Sequence, residues 1–527
     1  MYGTSSNVNL CQYCEDKAYR LQYKKALSKR RLRGLNKGGS CMITFIVCIL
    51  LLILGYFTYG KYIDKMFGPK YDRPTPAHDQ RDNVDFVPMK TSSNSLIQLL
   101  NIAGVGPIFG PIMGALYGPV AFIWIVIGCI FAGAVHDYLT GMISIRNRGA
   151  HLPQLAGKFL GQAMKHVVNI FTLLLLLLTG TVFVTSPALL LHNLMDGRVA
   201  LGLIIFVIFV YYILSTVLPI DKIIGRIYPI FGALLVISAL GVGFRLIQTG
   251  APIPELTLEN MHPDKAPIFP LLFFTITCGA LSGFHATQSP IISRTTNKEK
   301  NARVIFYGMM IAEGIIAMIW AAAAMSLFGS YGGLQNVLAQ GEAALVVSKV
   351  STMLLGSFFG TIAVLGVIVL PITSGDTSFR SARMIIADYI HLGQKAISKR
   401  FIVAVPLFIA SFLLTQVDFT ILWRYFSWAN QTTAAVALWV GAMYLLIAGK
   451  NYWVAFIPAT FMTWNLFTYI LSQPIGFGLD LNLSYAVAIG LTGLWLCYFF
   501  YQYRKNTVGD AFQLDHAVQL KNHPNYS

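Results

Sequence analysis

Apolar runs of about 20 residues, separated by short polar stretches, recur along nearly the whole chain. Each is long enough to cross a bilayer core of roughly 30 Å as a helix. Thirteen such segments are read from the pattern, at 42–60, 95–116, 119–144, 166–190, 199–219, 223–246, 268–290, 303–328, 343–373, 401–418, 422–447, 452–471 and 482–503. The expected fold class is an all-α polytopic membrane protein with about thirteen transmembrane helices.

Two segments carry glycine and proline where a membrane helix is normally uniform: Asn101-Ile-Ala-Gly-Val-Gly-Pro-Ile-Phe-Gly-Pro111 and Thr277-Cys-Gly-Ala-Leu-Ser-Gly-Phe-His285. They are the second and seventh segments. Segments two to six and seven to eleven then form two sets of five that start from opposite sides. That is the plan of a five-plus-five inverted repeat, in which discontinuous helices at matching positions hold a solute between their exposed ends. The two halves share no evident sequence identity, so the repeat rests on topology. The alternative for either segment alone is close helix packing on small residues. The chain divides into a basic extension (1–41), a first helix with its loop (42–94), two five-helix repeats (95–267 and 268–447), two additional helices (448–505) and a tail (506–527).

Composition agrees with the pattern. Of 527 residues 55% are hydrophobic and 12% charged, with mean hydropathy +0.62; so much apolar surface exceeds what a soluble core can bury. The net charge of +17 changes the picture only through its distribution. Outside residues 1–41, alternation of the helices places 25 Lys and Arg on one side and 5 on the other, and cytoplasmic loops are the basic ones. The expectation is a multi-pass protein of the bacterial inner membrane, with the first helix starting outside and the C-terminus inside. Basic residues flanking membrane segments answer to topology and anionic lipid, so lipid is an expected partner and nucleic acid is not.

Residues 1–41 fit this orientation poorly, because Lys17 to Lys37 would place nine cations outside. An untranslated upstream extension is the preferred explanation, against an exported tail or a cytoplasmic arm that reroutes the first helix. Cys11 and Cys14 form one thiol pair without two further ligands. The remaining cysteines are scattered as small hydrophobes, so neither a resident metal nor a cofactor is expected.

Ionisable groups inside membrane segments are functional candidates by their cost alone. Glu313 lies near the middle of the eighth segment with no cation adjacent in sequence. It is expected either to carry a coupling proton or to pair with a polar group on another helix. Asp137 and His136 lie in the third segment, where neighbouring side chains diverge by roughly 100° and need not interact. Asp137 is a gate or proton relay, or a helix-end anchor near Arg146 and Arg148. Asn430 and Gln431 are expected to be interhelical glue.

The stretches Asp85-Phe-Val-Pro88, Ala103-Gly-Val-Gly-Pro-Ile-Phe-Gly-Pro111, Ala132-Gly-Ala-Val-His-Asp137, Cys278-Gly-Ala-Leu-Ser-Gly-Phe-His285 and Thr373-Ser-Gly-Asp-Thr-Ser-Phe-Arg380 resemble the carbon starvation protein A family of membrane transporters. The resemblance covers most of residues 42–505; His136 stands where many relatives have Gln. It implies uptake of peptides or small carboxylates such as pyruvate, driven by an ion gradient when preferred carbon is scarce, and kinship with the LeuT-like inverted-repeat superfamily. A carboxylate substrate is expected at the exposed helix starts, touching Gly104, Val105, Gly106 and Gly110 in the first break and Thr277, Gly279, Ser282, Gly283 and His285 in the second. In LeuT-like transporters the helix matching segment nine offers hydroxyls to sodium. Thr373, Ser374, Asp376 and Thr377 are therefore a candidate cation site, or else a capped helix end. A bound proton or sodium ion is expected, and no other group.

Other function classes fare worse. There is no Walker A motif for a pump, no His-Glu-x-x-His helix and no Gly-x-Ser-x-Gly elbow for an intramembrane enzyme. A channel, or a sensor on a transporter scaffold, is the alternative.

Overall fold

The structure is a computed structural model. It describes residues 42–507, except 71, 83–85, 196, 218–219 and 395, together with 513–515. The 1–41 extension with Cys11 and Cys14, Asp85, Lys395 and most of the tail lie outside the described residues, as do the side chains of Lys222 and Arg226.

The described chain is all helical, with one isolated parallel bridge between Met89 and Thr296. Its helices are α1 (Ile43–Phe57), α2 (Tyr59–Phe67), α3 (Thr91–Ala103), α4 (Gly106–Gly114), α5 (Val120–Ile127), α6 (Ala134–Arg146), α7 (Leu152–Leu160), α8 (Gln162–Leu194), α9 (Leu201–Val217), α10 (Ile220–Gln248), α11 (Ile268–Thr275), α12 (Gly283–Ser293), α13 (Met309–Leu327), α14 (Tyr331–Tyr389, interrupted by non-helical backbone at Gly341, Glu342 and Gly356), α15 (Ile397–Leu414), α16 (Phe419–Ile447), α17 (Trp453–Ser472) and α18 (Leu481–Thr507), besides short turns. Among the described residues nine helical stretches are long and apolar enough to cross a membrane, or ten with the bent pair α3 and α4. The first runs from Ile43 to Phe67, past the expected end at residue 60. The thirteen expected segments each fall on a helix or a broken helix pair. Those that miss the test are shorter apolar helices within α9 and α10 and the split seventh segment.

Both expected breaks are real. Backbone at Gly104 (φ 5°, ψ −145°) leaves the helical region, Pro107 starts α4 without an N–H that the helix would miss, and the axis turns by 45°. In the second, residues 276–282 separate α11 from α12, and Gly279 sits at φ +85°, a left-handed conformation natural to glycine. Two π-helical turns, Gly128–Gly133 and Arg303–Gly308, lie on the segments that follow the two breaks.

Segments that alternation assigns to the same side touch one another. Glu255 binds the amides of Ile43 and Thr44 at 3.0 Å each, and Thr420 donates to Glu342 at 3.3 Å. Among the segments assigned to the other side, buried Arg146 reaches Glu299 (both contacts 3.3 Å), the Tyr444 hydroxyl (3.0 Å) and the Gly68 carbonyl (2.8 Å). Arg73 and Tyr444 both hold Asp515, at 2.9 and 2.7 Å. Burial raises the Asp515 carboxyl, but hydrogen bonds from Tyr444 and Arg73 outweigh it and keep it below the usual carboxylate range.

Candidate functional site

The two breaks pack directly on one another. A Cβ at Gly106 would fall on the Cys278 side chain, and one at Gly110 would lie 2.9 Å from the Thr275 carbonyl. The glycines therefore do what the packing alternative says at these positions, and they also bring two unwound stretches together. Gly104 faces the Phe183 ring, Gly279 backs onto Ala317, and Gly283 lies against the Asn430 backbone. Gly104, Val105, Gly106, Gly110, Thr277, Gly279, Ser282, Gly283 and His285 are all buried.

Unwinding frees backbone groups that must find partners away from water, and three side chains supply most of them. Asn430 Oδ1 accepts from the Phe284 N–H (2.7 Å) and from the Ser282 hydroxyl (3.2 Å), so it caps the start of α12. Gln431 donates to the Phe273 carbonyl at 2.9 Å, and the Trp124 indole donates to Ile276 O at 3.0 Å, both near the end of α11. Asn430 and Gln431 are thus specific caps of the broken helix, more than general glue. At the helix start where a substrate carboxylate is expected, the Phe284 amide is occupied by Asn430.

Glu313 is the fourth cap. Its Oε1 accepts the Gly279 N–H at 3.1 Å, inside the break, while Oε2 faces His285 Nε2 on α12 at 3.3 Å. That second pair is close but lacks hydrogen-bond alignment, and neither atom has another partner. Across the ring, His285 Nδ1 lies 2.9 Å from Asp137 Oδ2, and Asp137 Oδ1 lies 2.8 Å from His136 Nδ1. His136, Asp137, His285 and Glu313 are at most 1% exposed. The adjacent His136 and Asp137 do interact, although helical divergence does not require it. Asp137 is not an anchor for Arg146, which pairs with Glu299 instead. The geometry has a simple consequence: an ionised Asp137 accepts from both imidazoles, placing a hydrogen on each Nδ1. Between His285 Nε2 and Glu313 Oε2 there is then room for one proton, held by either group.

The other candidate cluster is arranged differently. Residues 373–377 do not close a helix, since α14 continues to Tyr389. The Thr373 and Thr377 hydroxyls donate to carbonyls of their own helix, at 2.7 and 2.9 Å. Asp376 accepts from Ser215 on α9 and pairs with Arg380 at 3.2 Å. Only Ser374 reaches the first break, donating to the Leu100 carbonyl at 3.0 Å. Thus Glu313, Asp137 and His285 come together, whereas Thr373, Ser374, Asp376 and Thr377 sit beside the end of α3.

Sequence reasoning passed over Gln98, Asn101 and Gln288. All are buried, and both side-chain polar atoms of Gln98, Asn101 Oδ1 and Gln288 Oε1 lack partners, as an incomplete binding surface would. The signal was available: two amides spaced i, i+3 in an apolar helix just before a break. Thr277 Oγ1 is likewise buried and without a partner.

Comparison with known proteins places this geometry in a family. A sequence profile described as "Carbon starvation protein CstA" matches residues 40–205, 198–336 and 323–468. An uncharacterized membrane protein of Haemophilus influenzae is 45% identical over 352 residues, 57% of this chain and 95% of that protein. The peptide transporter CstA of Bacillus subtilis is 25% identical over 525 residues, 79% of this chain and 88% of that one. Among solved structures, the Eremococcus coleocola manganese transporter in complex with an aromatic bis-isothiourea substituted compound superposes with TM-score 0.54 at 15% identity, covering 81% of this chain and 99% of that one. At that identity the likeness is one of fold. The chain belongs to the carbon starvation protein CstA family.

Proposed function

We propose that this protein is a secondary active transporter for the uptake of peptides or small carboxylates such as pyruvate, coupled to a proton or sodium gradient and used when carbon is scarce. In this reading the chain crosses the bacterial inner membrane thirteen times, with its C-terminus inside. The repeats 95–267 and 268–447 form an inverted pair and carry out alternating access, and no enzymatic step is involved. The relatives named as peptide transporters support the substrate class.

One observation carries the coupling mechanism: Glu313 reaches both parts of the broken segment, accepting from the Gly279 amide in the unwound stretch and lying 3.3 Å from His285 on α12. A carboxylate is a stronger hydrogen-bond acceptor than a carboxylic acid. Adding a proton to the Glu313–His285 pair therefore changes how firmly the break is tied to α13. The ion's arrival and the movement of the half-helix share one group, which is what coupling needs. Asp137 keeps His285 oriented through Nδ1. The hydroxyls at 373–377 beside Leu100 are the place for sodium if that ion is used. The substrate carboxylate meets the first break, where Gln98 Nε2 is a buried donor without a hydrogen-bond partner.

The test is uptake of labelled pyruvate into proteoliposomes under separate proton and sodium gradients, with unlabelled di- and tripeptides as competitors. Accumulation that follows one gradient supports a coupled carrier. Flux that saturates with neither gradient and proceeds only downhill favours a channel.

A further inference from the structure

We infer that Cys278, His285 and Glu313 form a binding site for one divalent transition-metal ion, built into the second break. The thiol, one imidazole nitrogen and one carboxylate oxygen lie within 4.8 Å of one another, and all three residues are fully buried. The sequence assigns no ion of this kind to the segment, because Cys278 and Glu313 lie on different elements and only the fold unites them.

Three features point to a metal beyond a shared proton. First, His285 Nε2 and Glu313 Oε2 stand 3.3 Å apart without the alignment of a hydrogen bond, and nothing else partners either atom. Two ligands bound to one tetrahedral ion at about 2.0–2.1 Å are separated by roughly 3.3–3.4 Å, and they point at the ion and not at each other. Second, the donor set is mixed. Sulfur, nitrogen and one carboxylate oxygen suit zinc, iron or cobalt, whereas calcium, magnesium and sodium prefer oxygen throughout. Third, a dication offsets the charge of its two anionic ligands. A thiolate and a carboxylate would be costly here alone, but a dication compensates both.

The other contacts of the ligands fit this assignment. Glu313 keeps Oε1 on the Gly279 amide and has Oε2 for the ion; His285 keeps Nδ1 on Asp137 and has Nε2. Such outer contacts orient metal ligands. The Cys278 thiol donates to Ser282 Oγ at 3.3 Å, a bond given up when the thiol loses its proton. Binding is the exchange of the Cys278 proton, and any proton shared by His285 and Glu313, for the ion, with no redox change. Three protein ligands leave a fourth position open. The inference does not depend on which solute is carried.

The experiment uses the full chain with Cys11, Cys14 and Cys497 changed to Ser, purified in detergent and titrated with cobalt(II). The expected result is one cobalt per chain with a near-ultraviolet thiolate-to-metal band, bleached by zinc. Cys278→Ser should abolish the band and weaken binding at least tenfold. Glu313→Gln should weaken it at least tenfold and keep a thiolate band at saturating metal. Cys129→Ala, whose own thiol donates to Met310 O at 3.3 Å, should leave the titration unchanged. Absence of the band in monodisperse protein that retains Cys278 would overturn the inference. So would a band that survives Cys278→Ser or follows Cys129. Because the readout is metal spectra, loss of pyruvate or peptide uptake would count against the transport reading and leave this one standing.

Discussion

Changing Glu299 to Ala tests the face held together by Arg146. Glu299 is 1% exposed and accepts from Arg146 twice at 3.3 Å and from the Lys70 amide at 2.8 Å. Removing one member of a buried pair typically costs about 3–5 kcal/mol, chiefly because the other charge is stranded. Arg146 would keep Tyr444 at 3.0 Å, the Gly68 carbonyl at 2.8 Å and the Phe67 ring face at 4.5 Å. Those remaining contacts favour the low end, about 3 kcal/mol. If the closed arrangement of this face is one of two states, the same loss shifts its population roughly 100-fold toward opening, since each 1.4 kcal/mol is about a factor of ten. The assay is a double-mutant cycle with Arg146→Ala, read by reversible denaturation in mixed micelles. Each single change is expected to cost about 3 kcal/mol and the double change at least about 2 kcal/mol less than their sum. Strict additivity would refute the pairing, and single costs below about 0.5 kcal/mol would show the face to be solvated and its charges of little weight.

Glu313→Gln should abolish gradient-driven accumulation while sparing exchange of substrate across equal concentrations; unchanged accumulation removes Glu313 from coupling. Gly106→Ala drives a methyl into Cys278, so a loss of about 1–3 kcal/mol or more is expected, measured as lowered thermal stability of purified protein. Asn430→Ala strands the Phe284 N–H and the Ser282 hydroxyl and should cost about 1–3 kcal/mol, whereas Asn430→Asp, which keeps an acceptor, should lose less. Burial lowers the Lys158 ammonium on α7 from its ordinary 10.5 to about 8. The unfolded chain therefore binds more protons between these values, and stability should rise with pH across that window. Lys158→Met should flatten the rise, as denaturation midpoints at pH 8 and above would show.

Much of this architecture was legible because lipid imposes a one-dimensional code. A crossing needs a long apolar run, and a broken crossing needs glycine and proline. Segment nine shows where that code stops. The apolar run falters near residue 373, which reads as an end, yet α14 continues to Tyr389. Ser374 and Ser378 spend their hydroxyls on the carbonyls of Leu100 and Leu176. A polar residue facing protein and one facing water look alike in a hydropathy window. The site was legible group by group for a related reason. Asp137, His285 and Glu313 each stand out as costly in a membrane, but His285 and Asp137 are 148 residues apart, and no local pattern encodes their meeting. The amide caps were undervalued for the same cause: the partners of Asn430 and Gln431 are backbone groups that exist only because a distant helix unwinds.

The division of labour in the second break argues for where movement starts. Asn430, Gln431 and Trp124 are neutral caps; they carry no ionisable group, so a proton does not switch them directly. Glu313 is the exception among the caps, being ionisable, and its other oxygen faces a histidine. A break held only by neutral groups would be rigid, and one held only by ionisable groups would collapse on neutralisation. With three fixed ties and one variable tie, a single proton or metal ion can change the attachment of Gly279 and His285 to α13 without unmaking the unwound backbone. The change is delivered where the first break packs, at Gly106 against Cys278 and Gly110 against Thr275, so it reaches both halves of the chain at once.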